Sequence, residues 1–556
     1  MADNYDDYTK DQLVRLLRER DRRPRFGLVW ERDEIDHDLS VNNDFVALDW
    51  DANLSCGESA QDNLIIEGDN FDALRYLRMT HAGRVKCIYI DPPYNTGNRD
   101  FIYNDRFIDK DDAYRHSKWL EFMYRRLELA KELLTEDGVI FVSIDDNEVF
   151  HLGLLMEQIF GAANFIANLI WKRKAGGGDD SGHIVTEHEY IICFAAELTK
   201  AKVARVLHES PSMTAKYNRS ENGRRYYLER LDKTSLTYSA SMDFPIACPD
   251  GTFVSPTQPD PKNPRTSWRW GKKTVEDRAE ELVFARDKKT NEWRVYTRTW
   301  EPLEGVTPRS LLVDEHHGRN RNGTQELAEY LGPRVFNNPK PTSLIQHLLN
   351  IGAREPDAIV LDFFAGSGTT AQAVLNLNKE DGGQRRFILV SSTEATTDTP
   401  DKNLCRDVCA ERVRRVISGY TNKKGQAVDG LGGGFAYLRC RRIPAATVFR
   451  SIQHDQVWTA LQLIHDVALT PYQAKLPMQT TQSKRGLVIY LPKLTDSVLD
   501  TVESAIHAAG QAVVYSWQPA LLAQRLTDPR VAFEPIPAFL VNRFGARSSS
   551  ATRGRP

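Results

Sequence analysis

Along the first 200 residues, short runs of aliphatic and aromatic residues alternate with longer stretches whose apolar positions recur every three or four residues. Leu64-Ile65-Ile66 predicts a strand. After Gly68-Asp69-Asn70, the spacing of Phe71, Leu74 and Leu77 predicts an amphipathic helix. The same unit recurs: a strand over Cys87–Ile90, a helix over Trp119–Leu134, and a strand over Gly138–Ile144 that stops on Asp145-Asp146. Phe165–Trp171 and Tyr190–Ala195 predict two closing strands, with a lid-like loop at Gly176–Asp180 between them. Strand and helix alternating in this way predict an α/β fold with a mostly parallel sheet covered on both faces. Ahead of it, Tyr8–Arg23 reads as a helix capped by Thr9 with Leu13, Leu16 and Leu17 on one face, and Phe26–Asp51 as an irregular approach.

The pattern breaks at about residue 199. Polar, Pro-rich and aromatic sequence runs to about 334, with a strong turn at Pro249-Asp250-Gly251. Alternation resumes with a helix over Leu344–Ile351 and strands at Ile359-Val360-Leu361 and Phe387–Val390. From Ala446 to Phe544 a helical stretch at Val457–Val467 and short strands at Gly486–Leu491, Ala512–Tyr515 and Phe533–Phe544 predict a small separate α/β module. The boundaries are thus 1–59 (arm), 60–198 (core, first part), 199–334 (insert), 335–445 (core, second part), 446–545 (C-terminal module) and 546–556 (a Ser/Arg/Gly-rich, disordered tail).

Composition narrows this picture without redirecting it. With 556 residues, 41% hydrophobic and 27% charged, the chain is an ordinary multidomain protein. It has no apolar run long enough for a membrane span, which with the polar N-terminus predicts the cytoplasm. Seven scattered cysteines fit a reducing compartment, and Cys405 and Cys409 read as small core residues rather than metal ligands; no metal site is predicted. A net charge of −3 gives no global sign of a polyanionic partner. Locally, residues 262–298 hold eleven Lys/Arg against six Asp/Glu, interleaved with Trp268, Trp270, Trp293 and Tyr296.

The chemistry concentrates where the Cys87–Ile90 strand ends, on Asp91-Pro92-Pro93-Tyr94-Asn95-Thr96-Gly97. Residues just past a strand's carboxyl end sit where α/β folds place ligands. A carboxylate and a strand-end carbonyl at Asp91 and Pro92 can accept the two N–H bonds of an exocyclic amine, whose lone pair is otherwise delocalised into its ring. The prolines stiffen that edge. Tyr94 adds a flat face on which a flipped-out base can stack.

Here the chain resembles the amino-group DNA methyltransferases, whose target motif is Asp, Asn or Ser followed by Pro-Pro and an aromatic. Extended through Asn95-Thr96-Gly97, Phe101, Tyr103 and Asp105, it resembles the modification subunits of type III restriction systems. The resemblance implies S-adenosylmethionine as cofactor and double-stranded DNA as substrate. A second motif agrees with it. Asp362-Phe363-Phe364-Ala365-Gly366-Ser367-Gly368-Thr369 places glycines in a strand-to-helix turn, which allows close approach of backbone N–H groups to a ligand. Its preceding acid and phenylalanines resemble the family's cofactor loop. Glu394, past the next strand, is in place for the ribose hydroxyls, although Ser392-Thr393-Glu394 departs from the family's usual Gln-Leu-Glu. Lys340-Pro341 resembles the cofactor-side loop, and Asp69 and Asn70 join the predicted cofactor set. The likeness continues through Arg412, Arg414, Arg415 and Gly432-Gly433-Gly434.

Asp91 precedes Asp362 by about 270 residues with the insert between them, the order of the β group of these enzymes. The resemblance therefore implies a permuted Rossmann-like class I S-adenosylmethionine-dependent methyltransferase sheet, in which both motifs meet at one edge, and an inserted target-recognition domain. Arg224, Arg225, Tyr226, Arg269, Lys272 and Lys273 are its predicted DNA contacts, and the Gly176–Asp180 loop is a lid or faces DNA. By the same analogy the C-terminal module is a dimerisation or partner-docking domain, and a restriction subunit a possible partner. The expected reaction is adenine-N6 methylation; cytosine-N4 transfer and a non-catalytic DNA-recognition subunit are the alternatives. The lack of a Pro-Cys pair argues against cytosine-C5 transfer, and no helicase phosphate loop or nuclease carboxylate cluster is evident.

Overall fold

The computed structural model describes residues 8–10, 12–14, 30, 44–57, 63–103, 106–109, 114–176, 184–206, 215–233, 238–256, 266–396, 399–444 and 453–536, with side chains omitted for 98–103 and 106–109. Most of the expected Tyr8–Arg23 helix, the side chains of Phe101 and Tyr103, Asp105, the Gly177–Asp180 loop, the end of the Phe533–Phe544 strand and the 546–556 tail lie outside the described residues. The chain forms two compact units, Met1–Ala204 with Arg309–Pro556, and Arg205–Pro308.

The larger unit is built on ten strands: β1 (Phe45–Cys56), β2 (Leu64–Glu67), β3 (Val85–Ile90), β4 (Leu134–Ile144), β5 (Phe165–Lys172), β6 (His188–Ala195), β7 (Leu311–Leu312), β8 (Ile359–Asp362), β9 (Arg386–Ser391) and β10 (Phe435–Ile443). They order as β1-β10-β2-β9-β8-β3-β4-β6-β5-β7. From β10 to β4 every pairing is parallel, so six carboxyl ends share one edge. Such strands are covered on both faces and must be apolar throughout, and all six residues of β3 are buried.

Seven helices frame this sheet edge: α1 (Asn70–His81), α2 (Arg115–Leu133), α3 (Val149–Phe160), α4 (Asn320–Leu331), α5 (Thr342–Gly352), α6 (Thr369–Asp381) and α7 (Glu411–Ser418). The chain leaves β8 through α6 toward β9 on one side, and leaves β3 through α2 toward β4 on the other. Strands β8 and β3 are adjacent, with Leu361 opposite Ile88. The point where successive connections diverge is the crevice in which open α/β sheets bind ligands. Asp91 and Asp362 both end there.

Two expectations are corrected. Part of the presumed irregular approach is β1, a twelve-residue strand running antiparallel to β10, with Asp49 and Asp51 ion-paired to Arg441 and Arg439 at 2.8 and 2.9 Å. Its partner lies at the far end of the chain, beyond any local pattern. The second compact unit is also narrower than 199–334: Leu311–Leu312 pairs parallel with β5, and α4 belongs with the larger unit.

The C-terminal region contains a helix at His454–Ile464 and four strands, Gln479–Ser483, Gly486–Leu491, Ala512–Ser516 and Val531–Pro535, ordered as in sequence. Trp458 and Leu461 pack with Phe45, Ala47 and Ile443, so this region shares a core with the β1/β10 end of the main sheet. The Arg205–Pro308 unit holds an antiparallel sheet of Leu282–Arg286, Trp293–Trp300, Arg224–Arg230 and Arg219–Glu221, over a core of Leu231, Ile246, Trp268, Val275 and Val295. No helix among the described residues is long and apolar enough to cross a membrane.

Candidate active site

Asp91 follows directly on β3, and its carboxylate is the centre of a compact polar cluster. Lys340 Nζ donates to Asp91 Oδ1 and Oδ2 at 2.8 and 2.9 Å and to the Tyr94 hydroxyl at 2.8 Å. The Tyr94 hydroxyl in turn donates to Asp91 Oδ1 at 2.8 Å. Glu189 of β6 closes the ring, with Oε2 3.1 Å from the Tyr94 oxygen and 3.3 Å from Lys340 Nζ, while Arg173 holds its other oxygen at 3.2 Å.

The partners differ in access. The side chains of Lys340 and Glu189 are 7% and 4% exposed, but that of Asp91 is 28% exposed. Burial raises the Asp91 pKa, and the Lys340 ammonium opposes that rise. Burial likewise disfavours the Lys340 charge, but Asp91 and Glu189 outweigh it and hold the ammonium above its ordinary pKa. Burial pushes the Tyr94 phenol well above its usual range, so it stays a neutral donor. The sheet edge thus presents an anchored carboxylate with lone pairs still accessible.

The loop beyond Tyr94 is braced from below. Asn95 adopts the left-handed region at φ 57° and is fully buried, donating to Glu148 Oε1 and to the Arg115 carbonyl. Glu148 has both oxygens engaged by imidazoles, His116 Nδ1 at 2.6 Å and His151 Nδ1 at 2.8 Å. Trp119 donates to the Pro93 carbonyl at 2.7 Å. That carbonyl is one residue past the Pro92 carbonyl that the sequence offers as the second acceptor.

On the adjacent strand the second motif turns sharply into α6. Gly366 and Gly368 have φ of 49° and 78°, which non-glycine residues adopt only at a cost. A Cβ on Gly368 would stand 3.1 Å from the Cys409 carbonyl and 3.2 Å from Val413. Asp362 is a loop organiser: it accepts from Thr370 Oγ1 at 2.5 Å and from the Phe364 N–H at 3.0 Å. With no cation beside it among the described residues, burial pushes its pKa up to about 7 against those two hydrogen bonds.

Several predicted cofactor residues likewise shape the site through their neighbours. Asp69 caps α1 and pairs with Arg126 at 3.2 Å, and Asn70 donates to the Phe363 carbonyl at 2.9 Å, tying the end of β2 to the glycine loop. Thr369 accepts from Arg412, a fully buried guanidinium that also donates to Ser367, Thr342 and Gln372. Pro341 precedes α5 as its cap residue. Phe363 and Ala365 are buried, whereas Phe364, Gly366 and Glu394 are partly exposed. Glu394 carries an ion pair to Lys402 at 2.8 Å. The Lys340 ammonium lies on Asp91 of the target motif, while its backbone carbonyl accepts from Thr369 of the glycine loop at 3.3 Å. Glu189 was not visible as a site residue in the sequence, because β6 reads simply as a buried strand.

The family description for DNA methylases matches residues 85–397, more than half of the chain and all of the edge just described. The chain belongs to the DNA methylase family. The type III restriction-modification enzyme EcoPI Mod subunit of Escherichia phage P1 is 35% identical over 460 residues, covering 74% of this methylase and 70% of the relative. The StyLTI Mod subunit of Salmonella typhimurium is 34% identical over 387 residues, 64% of this chain and 57% of its own length. The type II methyltransferase M.KpnI of Klebsiella pneumoniae is 32% identical over 371 residues, 62% and 84% respectively.

Within the Arg205–Pro308 unit of this methylase, the predicted DNA contacts fall into two groups. Arg225 forms a two-point pair with Glu301 at 2.8 Å, and Arg269 is tied to Glu229 at 3.1 Å and Thr297 at 2.7 Å. Tyr226 stands opposite Trp300, 4.9 Å between ring centroids. Arg224, Lys272 and Lys273 are exposed, with Arg224 over the Trp300 ring. Trp268 is a core residue, its indole donating to the Phe244 carbonyl at 2.7 Å.

Proposed function

We propose that this DNA methylase transfers the methyl group of S-adenosylmethionine to adenine N6 in double-stranded DNA, as the modification component of a restriction or other defence system. The observation that carries this reading is the anchored but partly exposed Asp91 carboxylate at the edge shared with the glycine loop. The residues present fit the cofactor: the left-handed glycines keep the turn at the end of β8 tight, and Glu394 offers a carboxylate past the adjacent β9. When bound, S-adenosylmethionine supplies an already activated sulfonium methyl.

The chain's own residues then have to position and polarise the amine. Asp91 accepts one N–H of the flipped base and the Pro92 carbonyl the other, which aims the nitrogen lone pair and stabilises positive charge as it develops. Lys340 and Tyr94 hold the carboxylate ionised and oriented until the amine arrives, and Glu189 fixes both. The proton released from the amine has Asp91 as its first acceptor. Asp rather than Ser at position 91 favours adenine over cytosine N4 by the family pattern. In the Arg205–Pro308 unit, exposed Arg224, Lys272 and Lys273 are the predicted phosphate contacts, with Arg225 and Arg269 supporting the sheet that carries them. The C-terminal sheet is the proposed docking or dimerisation surface, and a restriction subunit would belong to another chain.

The test is to incubate the purified chain with unmethylated DNA and S-adenosylmethionine, digest to nucleosides and measure modified bases by mass spectrometry, with Asp91→Ala alongside. N6-methyladenine from the wild type alone is the expected result. N4-methylcytosine instead would overturn the base assignment, and full activity in the variant would sink the role of Asp91.

A further inference from the structure

Behind the Lys340 loop lies a group of histidines that the methylation chemistry does not use. His316 and His317 sit on a single 3-10 turn, Glu315–His317, and His347 on α5, seven residues past Lys340. His317 and His347 are 4% and 7% exposed, and His316 is partly exposed. Ring centroids lie 3.9 Å apart for His316 and His317, and 4.6 Å for His317 and His347. One nitrogen from each comes within 4.8 Å of the other two.

Among the described residues, neither ring nitrogen of His347 has a hydrogen-bond partner, nor does Nδ1 of His317. A buried polar atom left in that state costs about 1–3 kcal/mol; one ion would engage one nitrogen of His347 and one of His317. Three imidazoles that bring one nitrogen each to a single point are a donor set for zinc-class ions. Nitrogens around such an ion at about 2.1 Å lie about 3.4 Å apart. The cluster would have to close by about 1.4 Å at most, and the half-exposed His316 can supply much of that by rotation.

A second cluster, His116, Glu148 and His151, serves as the internal comparison. There each imidazole Nδ1 is already within 2.8 Å of a carboxylate oxygen, and Glu148 also receives Asn95. Its Nδ1 atoms and carboxylate oxygens have protein partners; among the described residues the ring nitrogens of His347 do not.

We infer that His316, His317 and His347 form a site for one divalent transition-metal ion of the zinc class, which ties the 315–317 turn to α5. The fold places that tie close to the active edge. Gly318, with φ 70°, follows the turn and packs on Pro341, where a Cβ would meet the proline ring at 2.7 Å. Its carbonyl accepts from Trp171, whose ring stands 5.8 Å from Lys340 Nζ. The ion is thus a structural brace for the loop that carries Lys340, with its fourth position open to water. Among the described residues no carboxylate orients the two buried imidazoles, so the expected affinity is moderate, a Kd of about 1 μM, rather than that of a site with a full outer shell.

The experiment uses the full, untagged chain, stripped with a chelator and titrated with zinc chloride against a chromophoric chelator. Cobalt(II) absorption reports geometry. One equivalent per chain is expected. His316→Ala, which changes a half-exposed residue and spares the core, should weaken binding by more than the about 10–100-fold that outer-shell partners are worth, as should His347→Gln. Zinc should also raise the melting temperature of the wild type but not of His316→Ala. Binding below 0.1 equivalent at about 50 μM zinc, about fifty times the expected Kd, would overturn the inference. So would unchanged affinity in His316→Ala, or loss of the ion in His151→Ala.

Discussion

Two carboxylates, Asp91 and Asp362, end neighbouring parallel strands of one sheet, and they live in opposite conditions. Asp91 has an ammonium, a phenol and an opening to solvent; Asp362 has a hydroxyl, one backbone N–H and no opening. Desolvation acts on both, but only Asp91 has a cation to offset it. The first is therefore equipped to accept a proton donor from outside, and the second to hold a loop in shape. Nearness to the site does not decide which acid does chemistry. Partner type and exposure do.

The largest expected effect of breaking this contrast is at Asp91 itself. Asp91→Ala should lower kcat by about a thousandfold or more while leaving cofactor affinity within a few-fold, measured by single turnover and calorimetry. Next is Lys340→Met, which leaves Asp91 and Glu189 facing each other with one cation fewer. Removing one partner of a buried pair costs about 3–5 kcal/mol, readable in urea unfolding. Because Lys340 opposes the rise in the Asp91 pKa, the acidic limb of kcat/KM should also move to higher pH.

Asp362 gives a third test, of stability against pH. Its folded pKa, about 7, lies above the unfolded value near 3.8, so the folded state binds the extra proton. Its contribution is therefore intact below about pH 4 and is lost as pH rises toward 7, by on the order of 4 kcal/mol. Asp362→Asn should flatten the melting-temperature profile across that window; an unchanged profile would place the titration elsewhere. The smallest effect is expected at Glu189→Gln, which keeps the shape but removes a charge from Lys340 and Tyr94. A loss of about tenfold in kcat, about 1.4 kcal/mol, should be accompanied by little change in melting temperature.

Much of this edge was legible in the sequence because its signals are local. The apolar run into Asp91-Pro92-Pro93-Tyr94 and the acid before Gly366 and Gly368 each state a strand and its end within a dozen residues. What was hidden depends on distant pairing. Phe45–Cys56 becomes a strand only because Phe435–Ile443 lies beside it. Glu189 sits in a strand whose burial is evident but whose neighbour at the far end, Lys340, is not. The three histidines are ordinary singletons until a turn and a helix bring them together.

The strand order also constrains how such a chain can be made. Strands β2 and β3 are close in sequence, yet β9 and β8 stand between them. While residues 359–391 are still in the ribosome, neither strand neighbour of β2 has been made, and the edge of β3 that β8 will take is open. Both strands thus present unpaired apolar edges, the kind that invite foreign strands. The strand that carries Asp362 and its neighbour β9 join the two parts of the sheet, and β10 follows them, so the nascent chain must wait, or be shielded, until all three are made.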